Sequence, residues 1–226
     1  MPIMVAVLMC GLLYLSFGTS RLALREVEFH GGLTLPNDSL RVIEASLLGR
    51  NMITLPLSAV RERILQFPEI RDVVFKRRLM GRMDCYLLRR KPVALVAGTR
   101  FAEIDHEGIV IPRHAGNADI DLPVITGLSP ESLDAPKARE AVAKALYVLD
   151  LLNEYGFSPA EQLSEIHIDG EEIMLVLIGT GALVRLGSED FPCRIRKLHA
   201  VYGALGESER FPELIDLRFD RQVVVR

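Results

Sequence analysis

Five histidines are the residues of this chain best suited to exchange protons near neutral pH or to bind a metal ion. Their spacing supports neither role, because no two of them lie four residues apart and no HExxH sequence occurs. His106 stands beside Glu107, but this pair falls in a predicted turn, where a solvated loop is the simpler interpretation. The sequence therefore predicts no metal site. The histidines are His30, His106, His114, His167 and His199.

Motifs for nucleophilic catalysis and phosphate binding are also incomplete. Ser188 directly follows Gly187 but lacks the flanking glycines of a GxSxG nucleophile elbow. Gly179 and Gly181 do not continue into a GxGxxG sequence, and they join two predicted strands where that motif joins a strand to a helix. These patterns predict a protein that is not an enzyme and binds no cofactor or small-molecule substrate. An envelope hydrolase or transferase, whose residues meet only in space, is the disfavoured alternative.

Charge and cysteine content exclude two further classes. The net charge of -3 gives no basis for a nucleic-acid-binding role. The three cysteines, Cys10, Cys85 and Cys193, are odd in number and scattered, which does not indicate a disulfide framework. A Cys85–Cys193 bridge remains open at this point but is not favoured.

The first twenty residues contain no charged side chain and are almost wholly apolar. About 20 such residues span a bilayer as a helix, so residues 1–20 are predicted to form a single transmembrane helix. A cleaved signal is an alternative, because Ser16 and Gly18 provide a small-x-small site, and a buried core helix is another. Arg21 and Arg25 follow the run, and the positive-inside rule alone would keep the rest cytoplasmic unless a basic tail precedes Met1.

The next seventy residues alternate between strand and helix signals. Gly31 and Gly32 end a first alternating run, Asn37, Asp38 and Ser39 provide N-caps, and Pro56 opens a second helical pattern. The predicted order is strand, helix, helix, strand, strand. The elements are a strand over 24–29, a helix from Asn37 to near Gly49, a short helix from Pro56 to before Pro68, and strands over 70–75 and 84–88.

Lys91-Pro92 marks a predicted boundary, after which short strands and two longer helices follow. Pro136 begins a helix whose apolar stripe runs to Gly156, and a second helix is predicted over 191–205. A strand meander lies between them, with turns at Asp169-Gly170 and Gly179-Thr180-Gly181. The predicted strands are 93–97, 101–104, 109–111, 163–168, 172–178, 182–186, 215–219 and 223–225, with 114–121 as a loop.

A basic stretch occupies the last two strands of the first half. It runs from Lys76 to Lys91 and lacks the interleaved aromatic residues of a nucleic-acid platform. The simpler interpretation is a charged strand surface that discourages edge pairing. The sharper one is a patch that faces acidic lipid or a protein partner.

The closing segment Ile215–Phe219 alternates as a half-buried strand does, and Val223 to Val225 follow. A chain-terminal strand often lies at the edge of a sheet, where it can accept a strand from a partner. An ordinary closing strand is the competing interpretation.

Eight segments, in order and spacing, resemble the bacterial cell-division family FtsQ, called DivIB in Gram-positive bacteria. Each is weakly specific alone, but together they cover nearly the whole chain. They are Leu24–Gly31, Gly49–Ile53 with Val60–Phe67, Pro68–Val73, Lys91–Ala94, Ile104–Gly108, Leu122–Gly127 and Ile215–Asp220.

This resemblance implies an α+β protein with one transmembrane helix (1–20), a POTRA domain (22–90) and a mixed β-sheet domain with flanking helices (91–226). It implies a non-enzymatic protein of the cell inner membrane, with the large domain in the periplasm at the division septum. The implied partners are the FtsB–FtsL pair and, through the POTRA domain, other divisome components. Such a protein would link early division proteins to septal peptidoglycan synthesis.

The resemblance also implies where the partner binds. In the family an FtsB segment adds as a strand beside the last strand of the β domain. By position, this surface corresponds to Arg218, Phe219, Arg221, Val223, Val224 and Val225. The alternative from another class is a POTRA-containing transport or outer-membrane assembly factor that acts as a strand acceptor.

Overall fold

The computed structural model describes residues 22–31, 37–112, 121–158, 162–205, 211–220 and 222–226. The chain divides into two compact units, and the division falls between Arg90 and Lys91. Within the described ranges no helix is both long and apolar enough to cross a membrane. The predicted transmembrane run over 1–20 and most of the predicted loop over 114–121 lie outside these ranges.

The described residues of the first unit form two helices and a three-stranded sheet. Strand order is β1-β3-β2, with β1 parallel and β2 antiparallel to the central β3. The strand–helix–helix–strand–strand order predicted from the sequence is confirmed. The elements are β1 (Glu26–His30), α1 (Asn37–Leu47), α2 (Leu57–Ile64), β2 (Ile70–Arg78) and β3 (Arg82–Arg89), with a 3-10 turn (Leu79–Gly81) between the last two.

The core of the first unit forms where the apolar stripes of its helices meet one face of the sheet. Ile43 and Leu47 of α1 and Ile64 of α2 are buried with Val73 and Cys85 of the sheet. Their 3.6-residue and two-residue periods place these side chains on single faces. Burial raises the pKa of the Cys85 thiol to about 12, so it stays protonated at neutral pH.

The second unit is built on a nine-stranded mixed sheet in the order β12-β11-β10-β9-β8-β7-β4-β5-β6. Its strands are β4 (Ala94–Val96), β5 (Ala102–Ile104), β6 (Val110–Ile111), β7 (Val124–Thr126), β8 (Leu163–Asp169), β9 (Glu172–Leu177), β10 (Leu183–Gly187), β11 (Leu214–Asp216) and β12 (Val224–Val225). Among its described residues, the helices are α3 (Pro136–Glu154) and α4 (Phe191–Leu205), and a 3-10 turn spans Pro130–Ser132.

Each long helix of the second unit connects two parallel, neighbouring strands. The α3 helix lies between β7 and β8, and α4 lies between β10 and β11. Parallel strands need such crossovers, because a tight turn can join only antiparallel neighbours. Val142, Ala145 and Leu149 of α3 and Ile195 and Leu198 of α4 are buried in the core cluster that includes the sheet.

Two sequence predictions need correction in this unit. The three-residue strand β7 was predicted only as the end of a loop, because it is too short for a periodic signal. The strand predicted over Ile215–Phe219 ends at Asp216, because the Asp216 carboxylate accepts the backbone N–H of Arg218 and closes a local turn.

The Cys85–Cys193 bridge left open by the sequence is absent, since both cysteines are free thiols.

Candidate partner-binding edge

The last strand, β12, lies at one end of the nine-stranded sheet, as the sequence predicted. It pairs antiparallel with β11, with Val225 opposite Ile215 and Val224 opposite Asp216. Within the described part of the chain, β11 is its only neighbour in the sheet. One side of β12 is therefore open to an added strand. We call this side the C-terminal edge.

Hydrogen bonds establish which backbone groups face outward at the C-terminal edge. The Arg226 N–H donates to the Leu214 carbonyl at 3.0 Å, and the Leu214 N–H donates to the Arg226 carbonyl at 3.2 Å. Hydrogen-bonded and non-hydrogen-bonded pairs alternate along an antiparallel ladder. Val225, opposite Ile215, is therefore in a non-hydrogen-bonded pair, and its N–H and C=O point away from β11.

The side chains of the C-terminal edge are apolar and accessible. Val224 is 41% and Val225 50% exposed, whereas Val223 is partly buried against the core. Directly opposed residues place their side chains on the same face of a sheet. Val225 thus shares the core face with buried Ile215, and Val224 shares the opposite face with Asp216. An added strand would find small apolar contacts on both faces.

Phe219 adds an exposed aromatic side chain to the segment that connects β11 with β12. It is 44% exposed, although its backbone is held in place. The Lys197 ammonium of α4 donates to the carbonyls of Phe219 at 2.9 Å and of Asp220 at 2.8 Å. An aromatic side chain presented from a fixed backbone is typical of the anchor residues of protein interfaces.

Arg218, also predicted to contact the partner, is engaged within the unit. Its guanidinium donates to Asp216 at 2.8 Å and to Glu172 of β9 at 3.3 Å. These bonds lower the pKa of buried Asp216 below its ordinary value and raise the pKa of Arg218. Arg218 therefore links β9 to the end of β11 through its side chain, and in this way it helps to hold the C-terminal edge in position.

Three residues that support the C-terminal edge were not predicted from the sequence. Asp216, Glu172 and Lys197 come from β11, β9 and α4, which are distant in sequence. Only the Asp-x-Arg spacing of Asp216 and Arg218 could have signalled a local ion pair. Arg221, the remaining predicted contact, lies outside the described residues.

A threonine, a histidine and a glutamate meet on the face of the second sheet that carries Val224. The Thr126 hydroxyl lies 2.6 Å from Nδ1 of His167 and also bonds Glu165. In a catalytic triad the acid binds the ring nitrogen that the nucleophile leaves free. Here His167 and Glu165 both contact the Thr126 hydroxyl, and Nδ1 of His167 lies 3.6 Å from the carboxylate of Glu165. The arrangement is a cross-strand polar network without the geometry of a triad.

In the first unit, Glu28, His30 and Asp84 bring potential metal-binding atoms within 4.8 Å of one another. Asp84 is already paired with the Arg78 guanidinium at 2.7 Å, which holds the pKa of Asp84 below its ordinary value. Tyr86 donates to the same carboxylate and stacks on the His30 ring. Since an arginine already compensates Asp84, the cluster is accounted for by protein contacts.

Comparison with known proteins identifies the class. A model of the C-terminal region of the cell division protein FtsQ/DivIB matches residues 94–218, from the start of β4 to Arg218. A cell division protein FtsQ of Myxococcus fulvus is 31% identical over 199 residues, covering 87% of this chain and 70% of the relative. The FtsQ of Geotalea daltonii is 26% identical, covering 92% of this chain and 77% of the relative.

A third relative extends the similarity over almost the whole sequence. The FtsQ of Rhodothermus marinus is 30% identical over 230 residues, covering 96% of this chain and 82% of the relative. The chain therefore belongs to the FtsQ/DivIB family of cell division proteins. Membership confirms the resemblance inferred from the sequence, and it implies divisome proteins as partners in general.

Proposed function

We propose that this chain is a non-enzymatic divisome scaffold that binds an FtsB–FtsL pair by strand addition at the C-terminal edge. The outward N–H and C=O of Val225 carry the proposal, because they offer a partner strand the bonds that continue a sheet. Backbone bonds of this kind supply affinity for any extended segment. Phe219 would add selectivity, because its exposed ring requires a complementary apolar side chain.

The proposal assigns further roles to the rest of the chain. The first unit, whose β-α-α-β-β order is that of a POTRA domain, would contact other divisome components. The apolar run over 1–20 would anchor the chain in the inner membrane and leave both units in the periplasm. In this position the chain would link early division proteins to septal peptidoglycan synthesis. This topology can be tested by fusing to each terminus a reporter that is active on only one side of the membrane.

The binding experiment uses the full chain in detergent and the soluble FtsB–FtsL pair from the same organism. Phe219→Asp should reduce affinity at least tenfold, because it places a charge where the partner would bury an apolar ring. The matched control is Phe101→Asp, which changes another exposed phenylalanine of the second unit, 52% exposed and located just before β5. Equal affinities for wild type and folded Phe219→Asp would remove Phe219 from the site.

In the alternative function, a POTRA-containing assembly factor would bind extended segments at the same edge with less selectivity for their sequence. An FtsB-derived peptide and a scrambled peptide of equal composition separate the two. Selective binding of the FtsB sequence supports the divisome scaffold. Equal binding of both peptides would favour a general strand acceptor, and no binding of either would refute strand addition.

A further inference from the structure

The turn between β2 and β3 presents the two most exposed large apolar side chains of the described residues. Leu79 is 87% and Met80 84% exposed. Met80 also has a φ of 64°, in the left-handed region that residues other than glycine rarely occupy. Neither side chain contributes to the core of its unit. Exposed apolar residues on a well-formed turn are typical of a contact surface.

Basic residues flank this turn in the sequence. The sequence from Lys76 to Arg82 contains four cations and no acidic residue. Arg78 and Arg82 pair with Asp84 and Glu26, each at 2.7 Å. The Arg77 guanidinium donates to the uncharged Met52 carbonyl, so its charge is not neutralised there. Two apolar side chains within a basic border match the chemistry of an anionic bilayer surface.

The fold places this turn next to the point where the chain leaves its apolar run. The Arg25 N–H donates to the Gly81 carbonyl at 2.7 Å, and a side chain at Gly81 would clash with the Ala23 carbonyl. On its other side the segment is held by the Met52 N–H, which donates to the Leu22 carbonyl at 2.8 Å.

The turn is therefore tethered close to the predicted membrane segment. Ala23 is only three residue steps from Ser20, and even fully extended these steps span roughly 10 Å. The turn must then lie within about 20 Å of the end of the apolar run, whatever conformation the linking residues adopt. If that end is at a membrane surface, the turn is close enough to touch the same surface.

We propose that Leu79 and Met80 form a lipid-contacting tip, inserted at the headgroup–acyl boundary of the leaflet in which residues 1–20 end. Lys76 and Arg77 would contact the phosphates of anionic lipids beside it, while Arg78 and Arg82 stay paired with Asp84 and Glu26. This inference depends on the membrane anchor of the proposed function but not on FtsB–FtsL binding. Its consequence is a second attachment point, which would restrict the tilt of the first unit relative to the bilayer.

The chain contains no tryptophan, so one substitution gives a specific fluorescent probe of depth. Full-length Leu79→Trp is reconstituted into phosphatidylglycerol vesicles that contain lipids brominated near the headgroup. The control is full-length Leu88→Trp, another exposed apolar position, 45% exposed. It lies toward the opposite end of β3, about 20 Å from the turn at the strand rise of roughly 3.3 Å per residue.

We expect the emission of Leu79→Trp to shift to the blue and to fall at least twofold with brominated lipid, while Leu88→Trp changes little. Quenching of Leu79→Trp should weaken in phosphatidylcholine vesicles. Adding Lys76→Gln and Arg77→Gln should lower quenching in phosphatidylglycerol to the phosphatidylcholine level, because two cations close to the turn are lost.

Flotation of the vesicles separates the two ways in which the proposal can fail. A protein that floats, but whose Leu79→Trp emission equals that of Leu88→Trp, would overturn the tip and leave the anchor intact. A protein that does not float would overturn the anchor and the tip with it, without bearing on FtsB–FtsL binding. Quenching that is equal in both lipids would refute the role of the basic residues.

Discussion

The two sheets of this protein expose edges of opposite character. In the first unit β2 is an edge strand of nine residues, of which Arg71, Lys76, Arg77 and Arg78 are cationic. In the second unit β12 is an edge strand of two valines. Charged side chains along an edge disfavour the approach of another strand, whereas short apolar edges leave backbone groups accessible. Charge placement therefore distinguishes a protected edge from one suited to binding.

The two edges are also held differently. The β2 strand pairs with β3 over nearly its whole length, so the edge is supported by its own ladder. The much shorter β12 depends on the end of β11, where Arg218 bonds Asp216 and Glu172. The C-terminal edge thus relies on an ion-pair network, whereas the β2 edge relies on the length of its ladder.

The largest expected effect comes from breaking that network. Arg218→Ala leaves Asp216, 6% exposed, without its guanidinium partner. We expect the second unit to lose about 2–3 kcal/mol of unfolding free energy, less than for a fully buried pair because the Arg218 side chain is 33% exposed. Denaturant unfolding of the full chain in detergent measures this. Weaker partner binding with unchanged stability would contradict an internal role for Arg218.

The same network predicts a pH dependence. Because the pKa of Asp216 is lower in the folded protein than in the unfolded chain, its stabilisation is complete above the ordinary aspartate range, about pH 4. The stabilisation is lost as the pH falls through the folded-state pKa. Unfolding free energies measured from pH 7 downward should therefore fall more steeply for wild type than for Arg218→Ala. Parallel curves would exclude this contribution.

A smaller effect tests the outward donor at the C-terminal edge. Val225→Pro removes an N–H that makes no bond to β11, so the fold should be retained while FtsB–FtsL affinity falls about tenfold. Val225→Thr, which retains both the N–H and the β-branched shape, is the matched control and should bind like wild type. Equal loss in both variants would show that the valine side chain, and not backbone pairing, carries the contact.

The smallest effect is expected at the protected edge. Replacing Lys76 and Arg77 by threonine removes two cations and improves strand propensity, so β2 should gain a weak tendency to self-associate, worth less than about 1 kcal/mol. Sedimentation of the full chain in detergent at increasing concentration detects it. Lys137→Thr with Arg196→Thr removes the same charge from exposed positions of α3 and α4 and should not self-associate. Association of both variants would attribute the effect to net charge.

Local periodicity explains how much of the fold could be predicted. The bounds of α4 agree with the prediction, and α3 begins at the predicted Pro136, because each helix carries a continuous apolar stripe. The meander β8–β9–β10 was also predicted, since glycine-containing turns separate its alternating runs. The position of β7 between β4 and β8 was not predicted. Three residues are too few to show a strand periodicity, and the strands with which β7 pairs are distant in sequence.

The features of the candidate site can likewise be divided into those that the sequence determined and those that only the tertiary structure decided. The sequence by itself determined the apolar character of the terminal strand, the aromatic side chain of Phe219 and the cations of β2, because residue type sets hydrophobicity and charge directly. Only the tertiary structure decided that the Val225 N–H faces outward, that Arg218 binds Asp216 and Glu172, and that the Leu79–Met80 turn lies beside Arg25. These facts depend on strand register and on pairing between distant segments, where a shift of one residue reverses every side chain and every backbone group.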